Sequence, residues 1–149
     1  MTGWRLGYGI FPEHLQSHMS KLMANSVSCT ATFTQRAALQ ALNGPQDSVK
    51  AMVEEFRRRR DIIAAGLRNI PGVACPEPEG AFYAFPSIKG TGLSSDVFQR
   101  KALEEVGVAL LSGKAFGRFG EGFVRLSYAT SQDNIRQAMS RLADLVSTK

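Results

Sequence analysis

Apolar positions along this chain fall into runs of helical period separated by short alternating segments. Leu15, His18, Met19, Leu22 and Met23 recur at three- and four-residue intervals and predict a helix over Glu13 to Ala24. A shorter helix is predicted from Gln35 to Leu42, stopped by Asn43-Gly44-Pro45. The longest signal is Val49, Met52, Val53, Phe56, Ile63, Leu67 and Ile70, one face of a long helix with Asp47 or Ser48 at its start and Pro71-Gly72 past its end. Ser94 or Ser95 should cap a further helix through Val106, with Val97, Leu103 and Val106 inward. Ser131 should cap a last one bearing Ile135, Ala138, Met139, Leu142 and Val146.

Strands are predicted at Trp4 to Phe11, Gly80 to Pro86, Val108 to Leu111 and Phe123 to Ala129. Asn25 to Thr32 reads as a Ser/Thr-rich loop, and the glycines of Ser112 to Gly122 make that segment a loop as well. Helices mixed with strands in this order predict an α+β fold, a sheet with helices packed on it. The break at Asn43-Gly44-Pro45 divides the chain into residues 1–44 and 45–149.

Composition adds little to this picture. The 149 residues, 44% hydrophobic and 21% charged, suit one ordinary domain or a small domain with a piece of another. No apolar run is long enough to span a membrane and no secretory leader pattern occurs, so a cytoplasmic protein without membrane contact is the default expectation. Cys29 and Cys75 do not make a disulfide framework. His14 and His18 lack the third ligand that a zinc site needs, and no metal is expected.

The net charge of +5 invites a nucleic-acid reading. Its one dense run, Arg57 to Arg60, lies inside the long helix, where successive residues point in different directions. A solvated helix face is the better expectation, and no nucleic-acid partner is expected.

Two arginines stand out chemically. Arg125 shares one face of its predicted strand with Phe123 and Ser127, so it is half-buried and needs an anion. A protein carboxylate or a ligand carboxylate would serve equally, because the planar guanidinium fork binds either through paired hydrogen bonds. Arg5 follows Gly3 and Trp4 and could meet a phosphate, although a lone arginine among glycines is usually structural. The loop Gly113 to Gly122 is no phosphate-binding P-loop, since Ala115 follows Gly113-Lys114 where a hydroxyl should stand.

Three stretches in order, TGWRLGY (2–8), PEGAFYAFP (78–86) and SGKAFGRFGEGFVRLSYA (112–129), resemble the class I aminotransferases, fold-type I enzymes that use pyridoxal 5'-phosphate and are aspartate-aminotransferase-like. The resemblance covers the whole chain but only the C-terminal portion of the family's usual length. It implies that residues 1–44 are the end of the large cofactor domain, with its last strand and helices, and that residues 45–149 are the small domain. It implies that Arg5 binds the cofactor phosphate and that Arg125 grips the substrate α-carboxylate.

Tyr83, in GAFYAFP, is expected to pack in the core. The loop holding Ser26, Ser28, Thr30 and Thr32 resembles one that reaches toward a partner subunit's site, yet Cys29-Thr30 replaces the family's Asn-Pro. The family's Schiff-base lysine precedes Thr-Gly-Trp-Arg by a few residues. The resemblance therefore implies that it lies before Met1, that none of Lys21, Lys50, Lys89, Lys101, Lys114 or Lys149 replaces it, and that the chain is catalytically incomplete alone.

The implied activity is transfer of an amino group between an amino acid and a 2-oxo acid, aspartate-type, in a homodimer. A fold-type I lyase or decarboxylase is the alternative within the fold, and a non-catalytic basic binding module the alternative outside it. The strand at Trp4 to Phe11, left with an unpaired edge, is expected to promote self-association.

Overall fold

The computed structural model describes residues 2–147; Met1, Thr148 and Lys149, the last among the lysines considered above, lie outside the described residues. The chain divides into two compact units, one running to Ser48 and the other from Val49.

The first unit holds α1 (Glu13–Ser26) and α2 (Thr32–Asn43), both where the apolar periodicity puts them. α1 ends in local side-chain bonds: Asn25 Nδ2 donates to Lys21 O at 2.7 Å and Ser26 Oγ donates to Leu22 O at 2.7 Å. Gln35 Nε2 reaches back to Thr30 O at 2.8 Å and ties down the connection between the helices. α1 buries no residue and α2 buries only Thr34.

The strand expected at Trp4 to Phe11 is absent among the described residues. Thr2–Trp4 forms a single 3-10 turn, Arg5 adopts a left-handed φ of 52°, and the chain then runs without regular structure to Pro12. A non-glycine residue in the left-handed region interrupts an extended run, and the glycines that follow have low strand propensity.

The second unit carries the core. α3 (Asp47–Arg68), α4 (Ser95–Glu104) and α5 (Gln132–Ser147) accompany an antiparallel sheet of β1 (Tyr83–Ala84), β2 (Leu111–Ser112) and β3 (Val124–Ser127) in the order β1-β3-β2. The register pairs Tyr83 with Ser127 and Ala84 with Leu126 on one side, and Leu111 with Arg125 and Ser112 with Val124 on the other. Side chains alternate across a sheet, so Ala84, Val124 and Leu126 share the buried face while Tyr83, Leu111, Arg125 and Ser127 share the opposite one.

Ile63 and Leu67 of α3, Phe98 and Ala102 of α4, and Ile135 and Leu142 of α5 complete the core. α3 and α5 cross closely at Gly66, where a Cβ would collide with the Met139 side chain. α5 starts as expected, with Asn134 N donating to Ser131 Oγ at 3.2 Å.

α4 is capped as expected, by Ser94, whose Oγ accepts from Val97 N at 3.4 Å. Its buried face differs from the expectation. Ser95, Phe98 and Ala102 are inward and Val106, just past the helix, packs against the core as expected, while Leu103 is 57% exposed. The helix phase is set by Ser95: its Oγ accepts from Gly122 N at 2.8 Å and donates to Gly120 O at 3.4 Å. Those bonds fix a polar residue inside and turn Leu103 outward.

Candidate functional site

The open face of the sheet is where chemistry gathers. Arg125 projects from β3, the central strand, whose backbone is hydrogen-bonded on both edges. Its guanidinium has no ion pair or hydrogen bond with any described residue. Its Cζ lies over two aromatic rings, 4.3 Å from the centroid of Tyr83 and 4.3 Å from that of Phe116. Tyr83 sits diagonally opposite on β1, within reach for an aromatic and a long side chain. The expectation that Tyr83 packs in the core is therefore corrected: the ring is 36% exposed and covers the guanidinium. Alternation explains it, since Ala84 takes the inward position on that two-residue strand.

Phe116 belongs to the glycine-rich segment after β2, which forms a 3-10 turn over Gly113–Phe116. That segment is fastened at several points. Gly113 and Gly120 pack backbone to backbone, where a Cβ on either would overlap the other's chain. Glu121 Oε1 accepts from Ser95 N at 3.0 Å at the start of α4. Asp96 accepts from Ser112 Oγ at 2.7 Å and from Lys114 Nζ at 2.6 Å. The Lys114 and Ser112 hydrogen bonds hold the Asp96 carboxyl below its ordinary range, and Asp96 in turn raises Lys114. Phe85 meets Phe116 edge-on at 5.9 Å and stacks on Phe123 at 5.6 Å, so an aromatic row borders the arginine.

Arg5 lies in the other unit. Its guanidinium is exposed and makes no ion pair or hydrogen bond with a described residue. The loop residues behave locally: Ser26 bonds its own helix, Ser28 takes a left-handed φ of 61°, and Thr32 opens α2. His14 and His18 are exposed on α1, and no group of three or more potential metal ligands occurs among the described residues. No helix among the described residues is long and apolar enough to cross a membrane.

Every member of the arginine run has a carboxylate partner. Arg57 pairs with Glu54, Arg58 and Arg59 with Glu55, and Arg60 with Asp61 and Glu77. The Glu55 carboxyl is held below its ordinary value chiefly by the hydrogen bond from Arg59.

Lys114, whose pKa Asp96 raises, is a poor candidate for covalent chemistry, which needs a desolvated amine with a lowered pKa. Lys101 pairs with Glu105 at 3.1 Å and Lys114 with Asp96, while Lys89 lies over the Phe123 ring. What the sequence alone did not reveal is the Ser95 and Asp96 anchoring of the glycine-rich segment and the ring cover on Arg125. Both join residues far apart in the chain.

The comparisons with known proteins show the family of this sheet-and-helix unit, with its arginine on the open face of the sheet. The family model "Aminotransferase class I and II" matches residues 1–142, and the chain belongs to that family. It is 44% identical to the aspartate aminotransferase of Pyrococcus horikoshii over 144 residues, which is 95% of this chain and 37% of that protein. It is 40% identical to aromatic-amino-acid aminotransferase 2 of Thermococcus litoralis, over 100% of this chain and 39% of that protein. The crystal structure of an aromatic aminotransferase from Pyrococcus horikoshii superposes with a TM-score of 0.91 at 40% identity, covering 99% of this chain and 40% of that one. The chain thus spans about two fifths of the length of the relatives it matches.

Proposed function

We propose that this chain supplies two anion-binding arginines to a pyridoxal-phosphate-dependent aminotransferase that moves an amino group between an amino acid and a 2-oxo acid, acting on aspartate or an aromatic amino acid. In this reading residues 1–44 end the large domain, residues 45–149 are the small domain, and the intact enzyme is a homodimer. The named relatives support the reading, as they include both aspartate and aromatic aminotransferases.

The observation that carries it is Arg125. A half-buried guanidinium with no protein acid among the described residues calls for an external anion, and a carboxylate fits its planar edge. Gripping the carboxylate orients the substrate, which lowers the barrier by holding the reacting bond in place. Arg5 suits the phosphate end of the cofactor, being exposed, unpaired with described residues and set among glycines that let a ligand approach. Bound pyridoxal phosphate would supply an electron sink for charge developing on the substrate.

The test is kinetic, in the cofactor-loaded protein that carries this sequence. Arg125→Ala should lower kcat/KM by about 100-fold, the effect of truncating one partner of a hydrogen-bonded charge pair, about 3 kcal/mol. The loss should be similar for aspartate and aromatic donors, since both share the α-carboxylate. A loss confined to one donor would assign Arg125 to side-chain recognition and overturn the reading.

A further inference from the structure

We infer that Tyr83 and Phe116 are positioning residues for Arg125, two rings that hold its guanidinium so that only the N–H edge faces a ligand. The inference rests on the carboxylate role proposed for Arg125. An arginine side chain has many rotamers, and one that ranges freely must lose that freedom each time it binds. Here Cζ is 4.3 Å from both ring centroids, well within the range of cation–π attraction.

The two ring contacts leave the N–H groups, which make no hydrogen bond with a described residue, for a ligand, and a carboxylate takes two of them in parallel hydrogen bonds. The rings are themselves held. Tyr83 is held by the pairing of its backbone with Ser127 and by the Phe82 ring, 4.4 Å from its own. Phe116 is fixed by the Asp96 and Ser95 bonds to its segment and by Phe85 packed edge-on against it. Neither ring is a core residue: Tyr83 is 36% and Phe116 is 47% exposed. Their placement costs apolar exposure that burial would otherwise remove, and the arginine is what they cover.

The test is an NMR titration of the full chain with acetate, following the Arg125 Nε–H resonance, which Arg125→Lys identifies by its loss. In the unaltered chain the resonance should be shifted by the ring currents and should move on titration. Tyr83→Leu and Phe116→Leu should each weaken acetate binding about threefold, the scale of one exposed cation–π contact. Tyr83→Phe and Phe116→Tyr, which keep the rings, should bind as the unaltered chain does. If the leucine variants lose the ring-current shift yet bind acetate unchanged, the positioning role is overturned while the carboxylate role of Arg125 stands. If acetate leaves the Arg125 resonance of the unaltered chain unmoved, both fall together.

Discussion

The two units use the same sequence device with different results. In the unit ending at Ser48, α1 carries an apolar stripe, yet Leu15, Leu22 and Met23 remain 38%, 55% and 43% exposed. In the unit from Val49, α5 carries a similar stripe, and Ile135 and Leu142 are 3% and 1% exposed. α3 contains both outcomes along one face. Val49, Met52 and Val53 are 45%, 54% and 47% exposed, and Ile63 and Leu67 are each 2% exposed. Periodicity therefore states which face of a helix is built for burial, and only packing states whether that face is covered within the chain.

Stability should divide along the same line. Phe98→Ala, which empties a site 2% exposed between α4 and the sheet, should destabilise the second unit by about 3–5 kcal/mol. Leu15→Ala on α1 should change stability by about 0.5 kcal/mol or less. Denaturant unfolding monitored by circular dichroism compares the two, and equal losses would break the contrast.

A smaller effect should appear at low pH. The Asp96 carboxyl is held below its ordinary value by Lys114 and Ser112, so its contribution is fully present above about pH 4 and is lost as pH falls further through its folded value. Below that window the segment carrying Phe116 should loosen before the core does. The Arg125 Nε–H resonance would report this as a shrinking ring-current shift while α5 amides stay protected from exchange. Asp96→Asn should remove the pH dependence. Loosening that persists in that variant would place the cause elsewhere.

Much of the fold was legible in the sequence. Four of the helices follow from 3.6-residue spacing and from punctuation by Asn43-Gly44-Pro45 and Pro71-Gly72, and the open face of β3 follows from the alternation of Val124, Arg125 and Leu126. The misses have specific causes. Trp4 to Phe11 has strand-like composition, but a strand needs a hydrogen-bonded neighbour, and none exists for it among the described residues. On α4 residue type favours Leu103 as inward, whereas bonds from Ser95 to Gly120 and Gly122 set the phase and leave it exposed.

At the site, Arg125 could be singled out from its own strand. Its ring cover could not, because Tyr83 reaches it across a ladder and Phe116 through a turn whose path depends on Asp96 and on two glycines in contact. Spacing along the chain encodes neither. The family, by contrast, was readable from three short motifs, and the match over residues 1–142 accords with it.

The central claim is that Arg125 meets a ligand carboxylate rather than a protein acid. Its most direct test is a crystal structure of the cofactor-loaded protein with a bound 2-oxo acid. The account predicts two carboxylate oxygens in the guanidinium plane of Arg125, each at about 2.8 Å, with the Tyr83 and Phe116 rings still over Cζ. A carboxylate bound elsewhere, with Arg125 turned onto an aspartate or glutamate of the protein, would contradict it.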